Sequence, residues 1–147
     1  MREKEVGLEQ VIPLIRERLA AGQSVQFTPR GTSMLPMLRD GQDQVVLSPA
    51  PEKLRKYDLP FYRRPNGQYV LHRIVKVGDS YTCIGDNQYF TETGVTRDQI
   101  LAVVTEFTRK GKKRSVKAVG YRLYCRLWHW SRWPRRIWAG LRRRIGI

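Results

Sequence analysis

Residues 68–87, QYVLHRIVKVGDSYTCIGDN, decide how the rest of the chain is read. The run from Tyr69 to Val77 is dense in β-branched and aromatic residues, and Ser80 to Ile84 is a second such run. Gly78-Asp79 between them has the chemistry of a tight turn, so the stretch predicts an antiparallel pair of strands. Alternation along the first run predicts Val70, His72 and Ile74 on one face and Leu71, Arg73 and Val75 on the other. Just upstream, Pro65-Asn66-Gly67 predicts another hairpin, because Asn-Gly accepts positive φ at little cost. The strand entering it lies in LPFYR (59–63). SVQFT (24–28), QVVL (44–47) and QILAVVTEF (99–107) are further strand candidates, several of them bounded by Gly-, Pro- and Asp-containing turns. The expected fold is mainly β (α+β), a compact antiparallel body over residues 24–108.

Each flank of this body has a different texture. Residues 5–21, EVGLEQVIPLIRERLAA, place Val6, Val11, Ile15 and Leu19 at helical spacing, with Ile12 and Leu14 alongside. This predicts an amphipathic helix within residues 1–23, packed on the body, ending near Gly22 and kinked or restarted at Pro13. Charge sets the other flank apart. Residues 1–106 hold 14 Lys and Arg against 13 Asp and Glu, whereas residues 107–147 hold 14 Lys and Arg, no acid, and all four tryptophans. Lys110–Arg114 reads as a basic linker. Beyond it Val116, Val119, Leu123, Leu127 and Trp130 recur at spacings of three and four. Pro134 interrupts, and Ile137, Trp138, Leu141 and Ile145 resume an apolar face.

Residues 109–147 therefore read as a cationic, Trp- and Arg-rich amphipathic helical tail. Trp and Arg are both favoured at a membrane interface, so the expected partner of residues 110–147 is an anionic membrane surface. His129, among the tryptophans, belongs to that interface. Arginine interleaved with aromatics also suits nucleic acid, but apolar residues gathered on one helical face argue against a nucleic-acid groove. The chain lacks a run of about 18 apolar residues, and its first ten residues lack the basic and apolar regions of a secretory signal. A peripheral location on the cytoplasmic side of a membrane is the expectation. Cys83 and Cys125 have no metal-ligand spacing, and neither a disulfide framework nor a cofactor is expected.

Three short segments carry candidate chemistry. Gly31-Thr32-Ser33-Met34-Leu35-Pro36, followed by Asp40-Gly41 and Asp43, holds a serine in a turn. Tyr69-Val70-Leu71-His72-Arg73-Ile74-Val75 holds a histidine on an expected strand. Ile84-Gly85-Asp86-Asn87 closes the next one. A serine hydroxyl attacks a carbonyl only when a neighbouring base takes its proton, and an imidazole has the right pKa for that at neutral pH. A turn that starts helically can also offer free backbone N–H groups to an oxyanion.

In order and spacing these boxes resemble the type I signal peptidase superfamily, which includes self-cleaving SOS repressors. The resemblance spans roughly residues 25–105. The His72-Arg73 pair is similar to the branch that uses histidine where many bacterial enzymes use lysine. It implies a serine endopeptidase with Ser33 as nucleophile, His72 as general base and Asp86 as the acid that orients the imidazole. Gly31 stands where some relatives place a hydroxyl in the oxyanion hole, so the hole would rest on backbone N–H groups. The implied substrate is a precursor or signal-like peptide bound as an added extended strand. The chain departs from the family in having no transmembrane anchor, in Tyr57-Asp58 where Gly-Asp is usual, and in Pro60. The alternative is a repressor-type regulatory or non-catalytic binding module whose basic tail contacts nucleic acid, although no helix-turn-helix precedes the body.

Overall fold

The computed structural model describes residues 8–146. Among them the chain forms an α+β fold of three α-helices and two antiparallel sheets. The first helix, α1, spans Leu8–Ala20 and continues through Pro13. It lays Ile12, Ile15 and Leu19 into the core, while Leu14 stays exposed. Val6, part of the predicted stripe, lies outside the described residues.

The larger sheet has the order β1 (Val25–Phe27), β2 (Gln44–Ser48), β8 (Ile100–Arg109), β3 (Pro60–Arg63), β4 (Tyr69–Leu71). The smaller sheet joins β5 (Arg73–Val77), β6 (Tyr81–Ile84) and β7 (Glu92–Val95). Both expected hairpins form. Gly67 takes φ 90° between β3 and β4, and Asn66 Oδ1 accepts from the Gln68 amide. Gly78 and Ser80 close the turn between β5 and β6.

The larger sheet is covered on both faces, and this explains why β3 and β8 read as nearly continuous apolar runs. Phe61, Ala102 and Val104 face the larger core with α1, whereas Tyr62, Ile100 and Val103 face a second core with Ile74, Cys83 and Val95 of the smaller sheet. Strands buried on both sides lose the polar half of their alternation.

Three expectations need correction. The run 69–77 is two strands, not one, because the chain passes from the larger sheet to the smaller at His72. Its burial does not alternate either: Leu71, His72, Arg73, Ile74 and Val75 are all buried. Second, Lys110–Arg114 is no linker. Lys110 at φ 51° and Gly111 at φ 77° turn the chain into β9 (Lys112–Ser115), which pairs with the end of β8. Third, the segment from 109 is not a free tail. Helix α2 (Val119–Trp130) buries Tyr121 and Cys125 in the larger core. The apolar stripe read along it, Val119, Leu123, Leu127 and Trp130, points to solvent.

Helix α3 (Arg132–Ile145) follows after Ser131 alone and buries no residue. No helix among the described residues is long and apolar enough to cross a membrane.

Candidate active site

Ser33 sits in the turn that joins β1 to β2, and its neighbours hold that turn down. Met34, Met37 and Leu38 are buried in the larger core. The Gly31 amide donates to Asp40 Oδ1 at 2.8 Å, and Leu38 N donates back to Met34 O at 2.9 Å. Asp43, itself buried, accepts from Arg39 through Nε, Nη2 and the backbone amide, and from the Lys110 amide. The Arg39 hydrogen bonds hold the Asp43 carboxyl far below the ordinary carboxylate range. Ser33 itself is half-buried. The Gly31 amide is spent on Asp40 and the Leu35 amide on Thr32 O, so a hole for an oxyanion would fall to the amides of Ser33 and Met34.

His72 is buried at the crossover between the two sheets. Its Nδ1 lies 3.4 Å from Tyr62 Oη and 3.8 Å from Glu92 Oε2. Tyr62 donates its single proton to Glu92 Oε2 at 2.8 Å, so the phenol oxygen can only accept from the ring. Burial, then the hydrogen bond to Glu92, pushes the Tyr62 pKa up, which keeps that proton in place. The network therefore puts the imidazole proton on Nδ1 and leaves the Nε2 lone pair open, the tautomer a general base requires. Arg64 holds Glu92 from the other side at 3.0 Å. Burial, then the nearby Arg64 charge, lowers the His72 pKa to about 4, against the opposing pull of Glu92 and Asp86. At neutral pH the ring is uncharged.

Ser33 and His72 line one cleft of about 1330 Å³, together with Thr32, Gln68 and Asn87. His72 also borders a smaller hollow of about 610 Å³ walled by Tyr89, Phe90 and Glu92. The ring's hydrogen bond is to Tyr62 and not to Ser33, so hydroxyl and imidazole face shared space without touching.

The Gly-Asp-Asn segment has a different task from the one its sequence suggests. An ideal Cβ on Gly85 would stand 2.5 Å from the Ser33 carbonyl oxygen. The Asn87 amide donates to that same oxygen at 2.8 Å, and Asn87 Nδ2 donates to Thr32 O at 3.2 Å. The segment is a cradle for the serine turn. Gly85→Ala is expected to push that turn aside and destabilise the fold by about 1–3 kcal/mol, since the added Cβ overpacks a backbone contact. A thermal melt would check it; a melting temperature equal to that of wild type would show that the contact sets nothing.

Asp86 does not orient His72. Its Oδ1 accepts from Arg73 Nε at 2.8 Å, and its Oδ2 accepts from Arg73 Nη2 at 2.9 Å and Tyr124 Oη at 2.7 Å. A carboxylate held in this bidentate fork has its lone pairs aimed at the guanidinium, not at the ring. Tyr62 and Glu92 occupy the position behind Nδ1. Arg73 is wholly buried, and its other donors reach Tyr57 O at 3.1 Å, Tyr121 Oη at 2.7 Å, Cys125 Sγ at 3.0 Å and Met37 Sδ at 3.1 Å. Tyr57, at φ 76°, bends the chain to aim its carbonyl there. Trp128 Nε1 adds a bond to Asp86 O at 2.7 Å. Helix α2 is thus built into the back of the site. Both cysteines are free and buried, and among the described residues no group of His, Cys, Asp or Glu could hold a metal ion.

In comparison with known proteins, no family model matches the chain, and no curated protein does either.

Proposed function

We propose that the chain is a serine endopeptidase of the signal-peptidase type. Ser33 Oγ attacks the scissile carbonyl as His72 Nε2 takes its proton, and the oxyanion forms against the backbone amides of the serine turn. The protonated ring then gives its proton to the leaving amine. Water repeats the sequence on the acyl-Ser33 ester and restores the hydroxyl. Glu92, acting directly and through Tyr62, stabilises the imidazolium that exists in between. The observation that carries this reading is that Ser33 and His72 line one cleft, with Tyr62 and Glu92 gathered at Nδ1 of the ring. The substrate class is a precursor or signal-like peptide with small residues at the cut, lying as an extended strand and met at a membrane surface, where the protein is held peripherally.

The test is a peptide library with small residues around the bond, assayed across pH. A base must be unprotonated to act, so kcat/KM holds on the acid side until pH approaches the His72 pKa of about 4. An ordinary histidine would halve the rate near 6.5, the value from which His72 is lowered. Fold stability moves in the same direction. The unfolded chain takes up a proton near 6.5 and the folded one near 4, so His72 stabilises the fold above 6.5 and that contribution fades as pH falls between the two. Assays therefore belong well below the melting temperature. Absence of cleavage at any pH, or cleavage that His72→Ala leaves intact, would end the proposal.

A further inference from the structure

Helix α2 has two apolar faces, and only one of them has a protein partner. Tyr121, Tyr124, Cys125 and Trp128 pack inward on the Arg73–Asp86 pair. Val119, Leu123, Leu127 and Trp130, at spacings of four, four and three, stand outward, with Trp130 78% exposed. Helix α3 continues the theme. Trp133, Ile137, Leu141 and Ile145 recur every four residues with Trp138 beside them, and all are exposed. Nine large apolar side chains on two successive helices exceed what a soluble surface leaves bare without an occupant.

The charge around this surface identifies the occupant. Helix α3 carries six arginines in fourteen residues, and no acidic residue occurs from 107 to 147. A second copy of the chain would bring the same uncompensated cations against these. A nucleic acid would meet the arginines and leave the indoles in water. An anionic lipid surface satisfies both faces at once, because Trp and aliphatic chains enter the acyl boundary while arginines stay among the phosphates. At about 1.5 Å per residue α3 is about 21 Å long, too short for the roughly 30 Å hydrocarbon layer, so it lies in the interface.

We infer that the outward faces of α2 and α3 form one docking surface for an anionic phospholipid bilayer. This narrows the predicted contact from residues 110–147 to two helix faces. It rests on the membrane-surface element of the proposed function and not on its chemistry. Arg136 lies 5.4 Å from the ring of Phe90, which walls the hollow beside His72. The docked surface thus brings that hollow close to the lipid, where a membrane-tethered peptide would be within reach.

The experiment uses the full chain with vesicles of phosphatidylglycerol mixed with phosphatidylcholine, and with vesicles of phosphatidylcholine alone. Expected results are co-sedimentation and a blue shift of tryptophan emission with the mixed vesicles, weakened by salt and absent with the neutral ones. The Trp138→Glu, Leu141→Glu double variant is expected to bind at least about tenfold more weakly, since each side chain buries apolar area. Its thermal transition and peptide cleavage stay at wild-type values, because both side chains are exposed and neither lines the cleft of Ser33 and His72. Failure of the full chain to sediment with anionic vesicles would overturn the inference, as would equal binding by the double variant. So would a concentration-dependent dimer, or a duplex-DNA complex, that the double variant abolishes. Sedimentation is read without any turnover, so failure of the lipid surface and failure of the protease chemistry remain separate outcomes.

Discussion

On the proposed mechanism, alanine at position 33 is expected to lower kcat for peptide hydrolysis by roughly 10⁴-fold or more, with the melting transition almost unmoved. The size of the effect comes from removing the only atom that forms the acyl bond, so what survives is binding and oxyanion stabilisation. The fold should be indifferent. Ser33 is half-buried, and its turn is held by Met34, Met37, Leu38, Asp40 and the Gly85–Asn87 cradle, none of which uses the hydroxyl. His72→Ala should match the loss, and the double variant should be no worse than either, because nucleophile and base act as one unit. Parallel kinetics and circular-dichroism melts on the three variants would check this. Rates within a factor of a few of wild type in Ser33→Ala would leave the serine a turn residue and nothing more.

Asp86→Ala is expected to be the most damaging single change to stability, about 3–5 kcal/mol, or about 10 °C or more in melting temperature. Arg73 is wholly buried, and Asp86 is its one charged partner. Without the carboxylate the guanidinium, which stays charged in proteins, is left in a dry site with no counter-ion. Tyr124 and Trp128 lose a partner or its support at the same stroke, which loosens α2 from the body. Denaturant unfolding of wild type, Asp86→Ala and Asp86→Asn would measure the cost, with Asn intermediate because it keeps the shape without the charge. If Asp86→Ala unfolded like wild type while its kcat collapsed, the residue would be the orienting acid after all.

Asp86 marks how far the sequence could be read. Both hairpins, seven of the nine strands (in six runs) and α1 were legible, because turn chemistry and apolar runs are local signals; Ser33 and His72 line one cleft, but no hydrogen bond joins them. The break at His72 was not. A crossover between sheets leaves no local mark in a run that stays apolar throughout. Glu92 and Tyr62, which settle the imidazole tautomer, were missed for separate reasons. Strand β7, Glu92–Val95, is too short and polar to read as a strand, and Tyr62 looks like any core aromatic. The inner face of α2 was hidden by its outer one. Leu123 and Leu127 outrank Tyr121 and Tyr124 on any hydrophobic count, yet a buried guanidinium with donors to place selects phenols and a thiol over leucine. Arg73 itself, adjacent to the histidine, was the available clue: a charged residue inside an apolar run needs a partner, and Asp86 is that partner.

The way Arg73 is satisfied also imposes an order on biogenesis. Chains leave the ribosome amino end first, so Ser33, His72, Arg73 and Asp86 are available before Tyr121, Tyr124 and Trp128 are made. Until those three arrive, the guanidinium and the carboxylate beneath the serine turn lack part of their coordination. The proposed hydrolytic centre is therefore braced only once α2 is made, and a nascent chain halted before residue 119 holds Ser33, His72 and Asp86 yet lacks that brace.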